Sequence, residues 1–160
     1  CYGEWVELTK QYERIVGGIG LHHTCCQIAR QGWTVSLTRR GWKHISRNIN
    51  GVDIVIHNKD STEEFTIQIV VVLNSKSIPF GDTIDNLASD FVVFCTSVEN
   101  MDHESDDYVH SIPDTFILTK DEIKKSIIKR CDDGKISYWL EESSYLMNKN
   151  KWGKIGFAWF

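Results

Sequence analysis

Two polar side chains interrupt stretches that are otherwise aliphatic. Asp53 stands at the start of the run 52–57, Val-Asp-Ile-Val-Ile-His, and Gln68 stands inside the run 65–73. Side chains of a strand alternate between its two faces, so Gln68 and Val70 share a face, and neighbouring strands would bring Asp53 beside Gln68. A pair of oxygens in that position suits Mg²⁺, a hard ion that takes oxygen ligands in octahedral geometry. Such an ion activates water and stabilises charge on a phosphate in flight. The structural alternative is simpler. A buried amide needs a partner wherever it lies, and a carboxylate at a strand edge can be held by local hydrogen bonds.

Three stretches of the chain carry a resemblance. They are Gly20-Leu21-His22-His23-Thr24-Cys25-Cys26-Gln27-Ile28 followed by Gly32-Trp33, then Gly51-Val52-Asp53, then Ile67-Gln68-Ile69-Val70. In this order they resemble the PD-(D/E)XK, or restriction-endonuclease-like, superfamily. The corresponding family pattern reads Gly-Glu-x-x-x-Ala-x-x-Leu…Gly-Tyr, then Gly-x-Asp, then Ile-Gln-Val-Lys. The resemblance covers residues 12–97 and extends weakly to Tyr138-Trp139-Leu140-Glu141 and to residues 152–156. It implies an α/β fold with a restriction-endonuclease-like core, a short mixed β-sheet flanked by helices. It matches Asp53 to the metal-binding Asp and Gln68 to an accepted uncharged variant. Leu21 then falls where the helix Glu would stand, and Val70 where the catalytic Lys would stand. Both departures replace a charged working group by an aliphatic one, and ligand charge contributes much of the affinity of a Mg²⁺ site.

The resemblance therefore implies a catalytically degenerate nuclease fold, binding nucleic acid or a protein partner without cleavage. A second reading is a Mg²⁺-dependent DNA endonuclease with relocated groups. There Asp53, Glu13 and Gln68 would form the catalytic and metal-binding set. Glu13 lies two turns upstream of Leu21, His57 could serve as base or ligand, and Lys59 or Lys76 could supply the ammonium group. A third reading is an interaction or assembly module with no nucleic-acid role. No cofactor is implied by the first and third readings; Mg²⁺ belongs to the second. Candidate partners are DNA, a protein partner and a second copy of the chain.

Other groups invite chemical readings. Arg39, Arg40, Lys43 and Arg47, with Trp42 among them, are candidates for contact with a phosphate backbone; the plainer reading is a solvated basic loop. His22, His23, Cys25 and Cys26 resemble zinc ligands in type. Only His22 and Cys26 share a helical face, and no second pair converges on them. Cys95, in Phe-Val-Val-Phe-Cys, reads as a packing residue. Lys124, Lys125, Lys129 and Arg130 read as the exposed face of a late helix. The acidic run 99–107 lacks the spacing of a calcium loop and reads as solvated.

The elements that must position these residues follow from periodicity. Residues 12–30 carry helical spacing at Tyr12, Ile15, Val16 and Ile19, then at Leu21, Cys25 and Ile28. Gly17, Gly18 and Gly20 predict either a break or a close backbone contact, and Gly32 fits a C-terminal cap. Strands are expected over 33–38, 52–57, 65–73 and 91–96, with the third inside the sheet because both its faces are apolar. Residues 58–62 read as a turn and 74–83 as a loop. A short helical piece is expected over 84–89. A further strand is expected over 108–118, interrupted near Pro113. Thr119 is expected to cap a helix over 121–130, and 141–148 to form a last short helix. The aromatic tail 152–160 must pack somewhere.

The whole chain of 160 residues, 41 % hydrophobic and 25 % charged, fits one domain over 1–160. Its core is expected at about 12–97, with a helical and aromatic extension over 119–160. No run of eighteen apolar residues reads as a membrane span, and no basic-then-apolar start reads as a signal peptide. The five cysteines have no regular spacing, which argues against a disulfide framework and for a cytoplasmic protein. The net charge of -4 is uneven, with the middle third acidic and both ends mildly basic. That distribution permits a nucleic-acid-binding face without demanding one.

Overall fold

The protein is described from a computed structural model, which covers residues 2–38, 51–72, 77–85, 87–96 and 112–156, with side chains from residue 14 onward. The first element is one uninterrupted helix, α1 (Tyr2–Arg30). Its glycines serve close contact and do not break it. A Cβ built on Gly20 would lie 2.7 Å from Cγ2 of Val71 and 3.5 Å from the Cys95 side chain. A side chain there would push the helix off the sheet. Val16, Leu21, Thr24 and Ile28 continue the buried stripe. The helix ends at Gly32, whose φ of 95° is the left-handed conformation a glycine cap supplies.

Five strands form the main sheet: β1 (Thr34–Leu37), β2 (Ile54–His57), β3 (Glu64–Val71), β5 (Phe91–Thr96) and β6 (Asp114–Thr119). They lie in the order β1-β2-β3-β5-β6. The first three form an antiparallel meander, β5 runs parallel to β3, and β6 antiparallel to β5. The result is an α/β architecture on a mixed sheet flanked by helices. The expected turn joins β2 to β3: Asn58 Oδ1 accepts from the backbone N–H of Thr62 and of Glu63. β3 and β5 are apolar on both faces because they are central, with neighbours on either side and layers above and below.

One face of the sheet packs on α1. Ile54, Ile56, Ile67, Ile69, Val93 and Ile117 meet Val16, Leu21 and Ile28 there, with Trp33, Trp152 and Ile155 closing the layer. The other face carries Val70, Val72, Val92, Phe94, Phe116 and Leu118. Its cover differs from expectation. A second sheet lies over it, β4-β8-β7, built from β4 (Ile78–Gly81), β7 (Ile128–Asp132) and β8 (Lys135–Leu140). Two short helices, α2 (Lys120–Ser126) and α3 (Glu142–Tyr145), complete the layer with Ile123 and Tyr145.

Several local expectations change accordingly. Residues 78–81 are a strand instead of loop because Ile78 and Phe80 alternate into the second layer. Among the described residues of 84–89 there is no helix, only a turn closed by the Leu87 N–H on the Ile84 carbonyl at 3.3 Å, and Leu87 is buried. The helix expected over 121–130 does begin at the Thr119 cap, with a reciprocal capping box to Glu122. It ends at Ser126, and Lys129 and Arg130 belong to β7. Asp133 and Gly134 turn the chain with φ of 48° and 77°, the two-residue hairpin geometry that Asp-Gly favours. The main sheet also extends past residue 97, since β6 pairs along six residues of β5. The expectation for the aromatic tail is met at Trp152, buried under α1; residues 157–160 lie outside the described part.

Candidate functional site

Asp53 sits at the N-terminal end of β2, where the ladder with β3 changes register. Ile54 opposes Ile67, and the Asp53 N–H also donates to the Ile67 carbonyl, 3.0 Å. Two residues of one strand thus meet one of the other, the pattern of a β-bulge. The bulge carries the β2 backbone away from the next N–H of β3, that of Ile69. The Asp53 carboxylate takes that N–H: Oδ2 accepts it at 2.7 Å. The donor belongs to the peptide joining Gln68 to Ile69, so the Asp53 carboxylate meets the backbone of the strand that carries Gln68.

The backbone around Asp53 is held from outside the two strands. Thr38 donates its N–H to the Asp53 carbonyl at 3.0 Å. Its hydroxyl lies 2.6 Å from the Val52 carbonyl and 2.9 Å from the Asp53 carbonyl. Ser89 Oγ donates to the Gly51 carbonyl at 2.8 Å. Neither Thr38 nor Ser89 has a place in the sequence pattern, because each acts on backbone carbonyls and leaves no periodic mark.

The matched positions do not converge on one point. Leu21 is in the layer beneath α1, with Ile67 and Ile69. Val70 is in the opposite layer, and Gln68, two residues away on the same strand, shares its face. Asp53 is 3 % exposed and Gln68 is fully buried. Mg²⁺ asks for several oxygen ligands and usually keeps part of its water shell. A single buried carboxylate with one oxygen committed to an N–H, a neutral amide and two aliphatic side chains on opposite faces do not fit it. Among the described residues no three His, Cys, Asp or Glu side chains come together as a metal site.

The groups that could replace the missing ones are placed as follows. His57 lies at the other end of β2 from Asp53, four residues or roughly 13 Å of strand away. Its Nε2 is 3.3 Å from Glu64, so it does not reach the Asp53 carboxylate. Lys59 is exposed in the turn beyond it. The side chain of Glu13 lies outside the described part, as do Lys76 and the basic residues Arg39, Arg40, Lys43 and Arg47. The chain nevertheless leaves the described structure at Thr38 and re-enters it at Gly51. Both ends of the basic segment are therefore anchored beside Asp53.

The cysteines and histidines of α1 and β5 differ in burial. Cys95 is buried against Gly20 and Thr24, and burial pushes its thiol up to about 12 despite the Thr24 hydrogen bond. It stays protonated and is no nucleophile. Burial likewise raises Cys25 to about 11 and lowers the pKa of His23. His22 and Cys26 are exposed on α1. An open cleft of about 270 Å³ lies at the far end of β5 and β6, lined by Thr96, Asp114, Glu142 and Lys149 among others. Lys149 Nζ and Asp114 are 3.2 Å apart there. Comparison with protein-family models, with curated proteins and with solved structures finds no match.

Proposed function

We propose that this chain is a restriction-endonuclease-like domain that has lost cutting chemistry and binds nucleic acid through the segment between β1 and β2. The observation that carries the reading is the anchoring of that segment. Thr38, at one end, is tied by hydrogen bonds to the Val52 and Asp53 carbonyls, and Gly51, at the other, is held by the Ser89 hydroxyl two residues before Asp53, the position the family pattern assigns to a metal ligand. The segment of the sequence that carries Arg39, Arg40, Lys43 and Arg47 thus begins and ends at described residues on the Asp53 end of the sheet. The helix, the three-strand meander and the pairing of the strands that carry Asp53 and Gln68 agree with the resemblance. The Asp53 carboxylate, turned to the Ile69 N–H, and Val70 in the lysine position support binding without hydrolysis.

Cationic contact to phosphates releases counterions, so affinity should fall steeply with salt. Binding of a labelled DNA duplex and of single-stranded DNA and RNA, measured by anisotropy across a salt series, tests the proposal. The variant R39A/R40A/K43A/R47A should weaken binding at low salt and flatten the salt dependence by up to about four phosphate contacts. Incubation with Mg²⁺ or Mn²⁺ should release no shortened product. Absence of salt-dependent binding would refute the nucleic-acid role. Metal-dependent cleavage abolished by Asp53→Ala would refute the loss of chemistry.

A further inference from the structure

The β7–β8 hairpin projects from the second sheet, with all five residues of β7 exposed. β7 is the terminal strand of the order β4-β8-β7, so one of its edges carries open backbone groups among the described residues. Which groups face outward follows from the turn. Asp132 and Lys135 flank the two-residue loop Asp133-Gly134, and residues flanking such a loop exchange hydrogen bonds with each other. Alternation then turns the backbone of Arg130 and Ile128 toward β8 as well. The N–H and C=O groups of Lys129 and Cys131 face the open edge.

An exposed edge pairs with another strand unless something prevents it, and a second copy of the same strand is always present. Antiparallel self-pairing is two-fold symmetric and must join outward-facing residues to outward-facing residues, which leaves three registers. Centring the two-fold axis on Lys129 opposes two lysines. Centring it on Arg130 opposes two arginines across a close non-hydrogen-bonded pair. Centring it on Cys131 places each Arg130 opposite Asp132 of the second copy and each Lys129 opposite Asp133. Opposite charges directly across a ladder are favourable and like charges are not.

The geometry points to a homodimer in which β7 pairs with β7 of a second copy, antiparallel, with Cys131 of each chain on the two-fold axis. Arg130 lies over the Trp139 ring on the β8 side, 5.0 Å from its centroid and 3.8 Å from Glu141; its side chain is half exposed and swings to the open edge to meet Asp132 of the second copy. Five residues make a short ladder, so the dimer is a weak one, dependent on concentration and salt.

The charge pattern provides a test that distinguishes this register from any other contact. R130D makes the two positions that face each other across the axis, 130 and 132, both acidic, and D132K makes them both basic. Both side chains are exposed and neither belongs to the Asp133-Gly134 turn, so folding should survive, which circular dichroism checks. Sedimentation of the unaltered protein across a concentration series should show reversible dimerisation. Each variant alone should dimerise about tenfold or more weakly, and the two mixed in equal amounts should recover a heterodimer. A short thiol cross-linker should join two chains of the unaltered protein, and Cys131→Ala should abolish that product. A protein monomeric at every concentration would overturn the inference. So would a dimer unaffected by either variant, a mixture that fails to recover, or a dimer that cannot be cross-linked through Cys131.

Discussion

Asp53 illustrates how one side chain can carry a chemical signal and do structural work. Its type and place match a metal ligand, yet its Oδ2 closes a gap in the β2–β3 ladder by accepting from Ile69. Removing an acceptor from a buried N–H costs about 1–3 kcal/mol. Asp53→Ala is therefore expected to lose about that much stability in urea unfolding, equally in EDTA and in millimolar Mg²⁺. Asp53→Asn keeps an acceptor oxygen and should lose less. A loss seen only when Mg²⁺ is present would identify a metal ligand instead. The strands that carry Asp53 and Gln68 do pair, and the carboxylate meets the backbone peptide between Gln68 and Ile69. What the carboxylate does there depends on a bulge, which is a one-residue slip that no residue type announces.

Among the elements, the helix cap and the hairpin were legible to different degrees. Thr119 and Glu122 form the capping box that their spacing encodes. The strand Ile128–Asp132 reads as a continuation of that helix because Lys124, Lys125, Lys129 and Arg130 fit an exposed helical face. The decisive local signal was Asp133-Gly134, whose left-handed pair turns a hairpin and cannot continue a helix. Gly134→Ala places a Cβ at φ 77° and is expected to cost about 1–2 kcal/mol. Thermal unfolding compared with a substitution at exposed Lys135 measures it; an unchanged midpoint would contradict the turn assignment. Gly20 shows the same effect in reverse. Glycine lowers helix propensity, but here it permits the approach of α1 to Val71 and Cys95, a cost recovered only when helix and sheet meet.

At the scale of the whole molecule, distant segments are joined by polar contacts as well as by the two apolar layers. Lys154, in the turn Trp152–Ile155, binds both oxygens of Glu122 at the start of α2 and also contacts Asn148. Partial burial acts to raise the Glu122 pKa, but the Lys154 ammonium and the Thr119 hydrogen bonds outweigh it and leave the carboxyl below its ordinary 4.5. A carboxyl held lower in the folded state stabilises the protein above the unfolded pKa. That contribution is lost as pH falls through the folded value. Unfolding free energy should therefore decline below about pH 4.5, and Lys154→Met should flatten that acid limb when urea titrations are repeated from pH 6 to pH 3. An identical acid limb in the variant would remove the pair from the account.

The sequence by itself determined the central β3 and β5, buried on both faces, the helical pattern over residues 12–30 of α1 with its glycine stop, the Asn58 turn and the Thr119 cap. Each depends on residues within a few positions of one another, so periodicity and local hydrogen bonding suffice. Only the tertiary structure decided that a second sheet covers the far face, and that Leu21 and Val70 lie on opposite sides of the main sheet. It also decided that the Asp53 carboxylate is turned to a backbone N–H. Those outcomes depend on which layer each face packs against and on a slip in strand register, quantities set by contacts between segments far apart in the chain.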